Sequence, residues 1–174
     1  MLNNKKIVIK DACILFDLID LNLMDQFFKL DWIVFTTNAV FDEIKNPSQK
    51  EIVLQFVDNG KIQIDSFGND DFVFRLALDN PGLSSVDCTV IDLAIRKNAI
   101  LLSSDNSVRK QSQLRNINVH GILWIIKSMV LEGVISSNDG IRNLHEYERI
   151  NPRTPRKKIK ELMNVLTNLE KRVY

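Results

Sequence analysis

Short apolar runs alternate with longer stretches in which apolar residues recur every three or four positions. Ile7, Val8 and Ile9 form a continuous run inside Lys5–Lys10, the pattern of a strand buried on both faces. Further strands are predicted at Trp32–Thr36, at Lys61–Asp65, where Ile62 and Ile64 alternate with polar residues, at Ala99–Ser103 and at Ile117–Val119, five in all. Between them the spacing predicts helices from Asp11 to Ile19, over Asn22–Leu30, Thr37–Lys45, Ser48–Asn59, Asn69–Asp79, Ser84–Asn98 and Asp105–Arg115, and then over Gly121–Leu131. Asn46-Pro47 and Asn80-Pro81-Gly82 read as stops, and Gly60 as a helix cap. Ser84–Asn98 carries the broadest stripe, with Val86, Val90, Ile91, Leu93, Ala94 and Ile95 on one side. Buried strands alternating with amphipathic helices imply an α/β fold with a parallel sheet between helices.

In such folds ligands bind beyond the carboxyl ends of the strands. Asp11 follows the first strand, Glu43 lies in the helix after the second, Asp87 opens the long helix before the fourth, and Asp105 ends the fourth. Four carboxylates are therefore expected near one sheet edge. Two like charges about 4 Å apart repel by roughly 4 kcal/mol at an effective dielectric near 20, so such a group needs a cation or some protonation. Oxygen-only donors select hard divalent ions, Mg²⁺ or Mn²⁺, and the chemistry expected of them is metal-assisted phosphodiester hydrolysis. Each carboxylate also has a purely structural reading. Asp11 and Asp105 stand at N-cap positions, Ser84-x-x-Asp87 resembles a capping box, and Glu43 fits an exposed helix face.

Neighbouring residues compete for these roles. Asp42 adjoins Glu43 but points about 100° away on a helix, so only one of the two faces a common site. Asp92, five residues past Asp87, points elsewhere and reads as surface or as a support for the site. Arg109 and Lys110, one turn past Asp105, are candidates to hold a phosphate or to be solvated helix charges. No spacing brings His120 and His145 together for metal-free acid–base catalysis.

These stretches resemble the PIN-domain nucleases, a family that includes the ribonuclease toxins of VapC-type toxin–antitoxin pairs. The matching residues are Ile7-Val-Ile-Lys-Asp11, Val40-Phe-Asp-Glu-Ile44, Leu83-Ser-Ser-Val-Asp-Cys-Thr-Val-Ile-Asp-Leu-Ala94 and Ile100-Leu-Leu-Ser-Ser-Asp105, continuing through Ile117-Asn-Val-His-Gly121. The resemblance implies a parallel five-stranded sheet of order 3-2-1-4-5, and a catalytic and metal-binding quartet of Asp11, Glu43, Asp87 and Asp105. Ser103 or Ser104 would supply a supporting hydroxyl, and Glu43 is preferred to Asp42. It further implies a Mg²⁺- or Mn²⁺-dependent ribonuclease acting on RNA, the toxin of a toxin–antitoxin pair with a small antitoxin partner. A PIN-fold protein that binds RNA or another protein without cutting is the alternative.

The PIN-like domain is expected over residues 1–135 and a helical extension over 136–174. This tail resembles a subgroup of bacterial PIN proteins in which a Gly-x-Ile-Ser step, here Gly133-Val-Ile-Ser136, precedes two further helices. Thr154 reads as an N-cap, Pro155 as the first helical residue, and Ile159, Leu162, Met163, Leu166, Leu169 and Val173 as a stripe.

Composition refines the picture in two places. The 174 residues suit one ordinary domain with a short appendage, and 45% apolar and 26% charged residues are those of a soluble globular chain. No stretch reads as an export signal or membrane span, and Cys13 and Cys88 show no metal-type spacing, so a reduced, cytoplasmic setting is expected. Net charge is only +1, yet residues 1–150 carry 16 Lys/Arg against 20 Asp/Glu (−4), while residues 151–174 carry 7 against 2 (+5). Arg156, Lys157 and Lys158 crowd the first turn of the last helix, where the macrodipole disfavours cations, so they are candidate RNA or partner contacts. The stripes of Ile122–Leu131 and Ile159–Val173, together with the pairing common in the family, lead to an expected homodimer.

Overall fold

The computed structural model describes residues 5–9, 12–65 and 68–170. Asp11, Lys10 and Val173 of the sequence expectations lie outside these residues. The chain divides into two compact units, one of residues 1–16 and 31–120, the other of residues 17–30 and 121–174.

In the first unit the described residues form a five-stranded, all-parallel sheet of order β3-β2-β1-β4-β5. The strands are β1 (Lys6–Ile9), β2 (Ile33–Thr37), β3 (Ile62–Asp65), β4 (Ile100–Leu102) and β5 (Val119–His120). The expected topology is therefore the observed one. Ile7, Ile9, Leu101 and Leu102 on the central pair have no exposed surface, as the unbroken apolar runs require. Helix α1 (Ala12–Asp20) follows β1, and α3 (Asn38–Asp42) and α4 (Pro47–Asp58) lie between β2 and β3. Helices α5 (Asp70–Asp79) and α6 (Ser85–Lys97) precede β4, and α7 (Asn106–Gln113) joins β4 to β5. Helix α6 packs across β1, β2 and β4, burying Val90, Ile91, Leu93 and Ala94 in a core shared with Phe35, Leu101 and Val108.

Three boundaries depart from the sequence reading. The helix after β2 closes at Asp42 with Glu43 as its C-cap, because the Glu43 and Ile44 N–H groups bond back to Val40 and Phe41 in a tightened last turn. The Asn46-Pro47 step both stops that segment and starts α4, since the Asn46 carboxamide oxygen accepts the Ser48 and Gln49 N–H groups and Pro47 is the first helical residue. Ile117 does not belong to β5. Asn116 adopts a left-handed φ of 58° and the Ile117 N–H returns to Ser112 O at 3.0 Å, so Ile117 terminates α7, and pairing with β4 begins where Leu101 N–H donates to Asn118 O at 2.9 Å.

The second unit is helical. It contains α2 (Met24–Phe27) with a 3₁₀ turn at Phe28–Leu30, then α8 (Ile122–Leu131), α9 (Ser137–Ile150) and α10 (Arg156–Glu170). Ser136 and Asp139 form a capping box on α9. Helix α10 packs on α9 and α8, with Ile159 and Leu166 fully buried, so part of the stripes that prompted the dimer expectation is covered inside one chain, while Leu162, Met163 and Leu169 stay half-buried. Thr154 does not cap α10. Its hydroxyl lies 3.2 Å from the Tyr147 hydroxyl, and the Pro155 carbonyl instead accepts the Lys158 and Ile159 N–H groups. Gly140 sits where α8, α9 and α10 meet: a Cβ there would come within 2.7 Å of Val130 Cγ2 and 2.9 Å of Leu166 Cδ1. Among the described residues no helix is long and apolar enough to cross a membrane.

Candidate active site

Because all five strands are parallel, their carboxyl ends share one edge, and β1 lies between the strand that follows it and the strand that starts the return half of the sheet. This is the switch point of an open α/β sheet. Helix α6 packs on the sheet and leads through Asn98 into β4, so its last turn is at the amino edge and its first turn at the carboxyl edge. Asp87 belongs to that first turn.

The Asp87 carboxylate is 7% exposed, and its Oδ2 accepts the Ser84 N–H at 2.7 Å while Ser84 Oγ accepts the Asp87 N–H at 3.1 Å. The capping box read from the sequence therefore exists. Asp105, three residues past β4, is half-buried and is the N-cap of α7, its Oδ1 accepting the Val108 N–H at 2.9 Å. Its own N–H donates to Ser103 Oγ at 3.1 Å, and Ser103, fully buried, donates its N–H to the His120 carbonyl of β5 at 2.9 Å. Ser103 thus fixes the turn that presents Asp105, whereas Ser104 is exposed. Glu43, just after the short helix that starts at the end of β2, is exposed, with no ion pair among the described residues. Asp42, its competitor, is exposed and 3.9 Å from Lys50 Nζ. The fourth expected member, Asp11, lies outside the described residues. Among the described residues no three His, Cys, Asp or Glu side chains converge closely enough to hold a metal ion.

Other expectations separate. Arg109 is half-buried and turns to β5, its Nη1 donating to the Val119 carbonyl at 3.4 Å, while Lys110 is exposed. Burial, then the Arg109 charge, pushes the His120 pKa below its ordinary value, so His120 favours the neutral form. Arg156, Lys157 and Lys158 belong to the second unit and are exposed, Arg156 lying 3.5 Å from Glu148. Asp92 is not a surface residue. It is 3% exposed, pairs with Arg96 Nε at 2.7 Å and accepts the Asn69 N–H at 3.3 Å, while Arg96 also reaches Asp65 at 3.2 Å. This network ties the end of β3 and the start of α5 to α6.

Sequence reasoning missed Thr36, whose buried hydroxyl donates to the Ile9 carbonyl at 3.0 Å and pins β2 to the last residue of β1. Two threonines closing an otherwise apolar strand were the available signal, because a buried hydroxyl requires a partner.

A family model described as PIN domain matches residues 7–168. The curated protein Endoribonuclease Nob1 of Methanocaldococcus jannaschii is 37% identical over 95 residues, 52% of this chain and 46% of the relative, so the chain spans about half the length of the curated relative it matches. Among solved structures, PAE2754 from Pyrobaculum aerophilum superposes with a TM-score of 0.53 at 13% identity, covering 72% of this chain and 96% of that one. VapBC2 from Rickettsia felis, solved bound to a DNA fragment from its promoter, gives a TM-score of 0.45 at 16% identity over 67% of this chain and 98% of that one.

Proposed function

From the premise that the chain belongs to the PIN-domain family, we propose that it is an endoribonuclease that hydrolyses RNA phosphodiesters with Mg²⁺ or Mn²⁺. The observation that carries this reading is the delivery of Asp87 and Asp105 to the carboxyl edge of the sheet from two different elements, with Glu43 in the segment that leaves the same edge. The name of the Methanocaldococcus relative supports RNA as the substrate. In this reading Asp11, Glu43, Asp87 and Asp105 hold the metal.

The donor chemistry fits a hard divalent ion. Every proposed ligand is a carboxylate, and the Asp105 cap uses one oxygen, leaving the other without a hydrogen bond among the described residues. Asp11, Glu43, Asp87 and Asp105 would hold such an ion, whose chemistry would be positive charge for a phosphoryl oxygen and a lowered pKa for a water. The chain's part is orientation: Ser103 holds the Asp105 turn, the Ser84–Asp87 box holds the Asp87 rotamer, and Thr36 secures the strand that leads to Asp11. Arg109, engaged with β5, is left to tune His120, and Lys110 remains the exposed cation for a phosphate.

The test is cleavage of single-stranded RNA with Mg²⁺ or Mn²⁺ against the same reaction in EDTA. Full cleavage in EDTA by highly purified protein overturns the reading. A non-catalytic RNA-binding role is favoured by one observation, that Asp87 and Asp105 both already serve helix starts, Asp87 in the capping box of Ser84 and Asp105 as an N-cap. It predicts RNA binding with no cleavage under any metal.

A toxin role in the cytoplasm, with a small antitoxin partner, rests on the sequence resemblance, and co-purification with the product of a neighbouring short reading frame tests it. Self-association as a homodimer rests on the sequence resemblance and on the part of the α8 and α10 stripes that stays half-buried or exposed. Light scattering across micromolar concentrations decides it.

A further inference from the structure

The amino edge of the sheet in the first unit, opposite the carboxylates, holds a cleft of about 530 Å³. It is formed by the segments that enter three adjacent strands: Lys5 and Lys6 at β1, Asn98 to Ile100 at β4, and Asn116 to Asn118 at β5, with Arg115 beside them. Ile95, 44% exposed, and the half-buried Ile100 give it apolar surface, and three carboxamides (Asn98, Asn116, Asn118) border it. No Asp or Glu among the described residues lines it, although residues 1–150 carry a net charge of −4.

Two of the cations have no carboxylate partner among the described residues. Arg115 Nη1 bonds only to neutral acceptors, the Gln111 carbonyl and Oε1, both at 2.8 Å, and Lys6 has no ion pair among the described residues. Neutralising helix carbonyl ends does not account for both. The last turn of α6 already carries Arg96 and Lys97, and Lys6 comes from β1 rather than from either helix that ends here. The left-handed backbone at Asn98 (φ 49°) and Asn116 (φ 58°) makes the tight turns that bring these carboxamides to one rim.

Cations for phosphates, carboxamides that both donate and accept toward base edges, and apolar surface for a base are the three chemistries of a nucleotide. We propose that this cleft binds nucleotides of a single RNA strand, as a contact separate from the carboxylate edge. A strand fits better than a free nucleotide because Lys5, Lys6, Asn98, Asn116 and Asn118 are all exposed, leaving a groove rather than the enclosure that buries about 70–90% of a small ligand. The inference rests on RNA being the substrate, but its test does not depend on cleavage.

The experiment compares the wild-type chain with K6Q/R115Q in EDTA, by anisotropy of a labelled single-stranded RNA of about 20 nucleotides across a salt series. Both positions are at the surface, and a thermal melt checks the fold. Losing two phosphate contacts lowers the log–log salt slope by about 1.4, which is roughly 25-fold weaker binding at 0.1 M salt relative to 1 M. Asn116→Gly, which keeps the left-handed turn and removes the carboxamide, weakens binding with no change in slope. Unchanged affinity and slope in K6Q/R115Q overturns the inference, as does failure of the wild-type chain to bind RNA. Saturable binding of a nucleoside 5′-monophosphate that K6Q/R115Q abolishes, with RNA binding intact, also overturns it in favour of a free nucleotide. Loss of RNA binding in a protein that cleaves nothing with any metal keeps this inference and removes the nuclease reading.

Discussion

Asp87→Asn separates the two roles of the residue that opens α6. In the metal-free protein the asparagine keeps an oxygen for the Ser84 N–H, and the Asp87 N–H to Ser84 Oγ bond is untouched, so the capping box keeps both hydrogen bonds and loses its charge. A hydrogen bond to a charged acceptor contributes about 1.5–3 kcal/mol against about 0.5–1.5 for a neutral one, and the helix N-terminus favours an anion by a further few tenths. The expected loss is about 1 kcal/mol, a fall of roughly 2–4 °C in Tm for a chain of this size. Added metal then distinguishes cap from ligand. At ten times its dissociation constant a bound ion stabilises the wild type by about 1.4 kcal/mol, and the variant gains little. Calorimetry in EDTA and in Mg²⁺ reads both effects, and RNA cleavage falls by at least about 100-fold, since even residues one step removed from a metal cost 10–100-fold. An equal Mg²⁺ response in the two proteins, or wild-type cleavage by the variant, refutes the assignment of Asp87 as a ligand.

Gly140→Ala gains up to about 1 kcal/mol of helix propensity but drives a methyl into Val130 and Leu166, at an overpacking cost of about 1–3 kcal/mol, so chemical denaturation reports a net loss near 1 kcal/mol. Burial pushes the Tyr147 hydroxyl up to about 12 from an ordinary 10. Because the folded form holds the proton more tightly, that stabilisation is complete below pH 10 and is lost as pH rises toward 12, and Tyr147→Phe flattens the melting profile over that window. Replacing Arg156, Lys157 and Lys158 with Gln lowers the salt slope of RNA binding by up to about 2, and an unchanged slope in filter binding assigns the basic turn to a protein partner.

Much of the first unit is legible without coordinates because its determinants are local. The unbroken run at Ile7–Ile9, the three-and-four spacing over Ser84–Asn98 and the caps at Ser84 and Asp105 depend on residues within one turn or one strand, and each forms where the pattern places it. Alternating strands and helices also bring the ends of β2 and β4 and the start of α6 to one edge, so Glu43, Asp87 and Asp105 could be gathered by connectivity.

What tertiary structure alone decides is which partner a side chain meets across long sequence separations. Helical period turned Asp92 away from Asp87 and put Arg96 one turn beyond it, but it could not foretell the Asn69 N–H that Asp92 accepts or the Asp65 that Arg96 reaches, both more than 20 residues away. Amphipathic stripes on α8 and α10 announced buried faces without saying that α9 would lie against both, a packing that Gly140 of α9 permits by leaving room for Val130 and Leu166. The basic cleft is invisible along the chain for the same reason. Lys6, Asn98 and Arg115 become neighbours only because parallel strands align their amino ends, so residues about 90 and 110 positions apart share one solvent boundary and one electrostatic field.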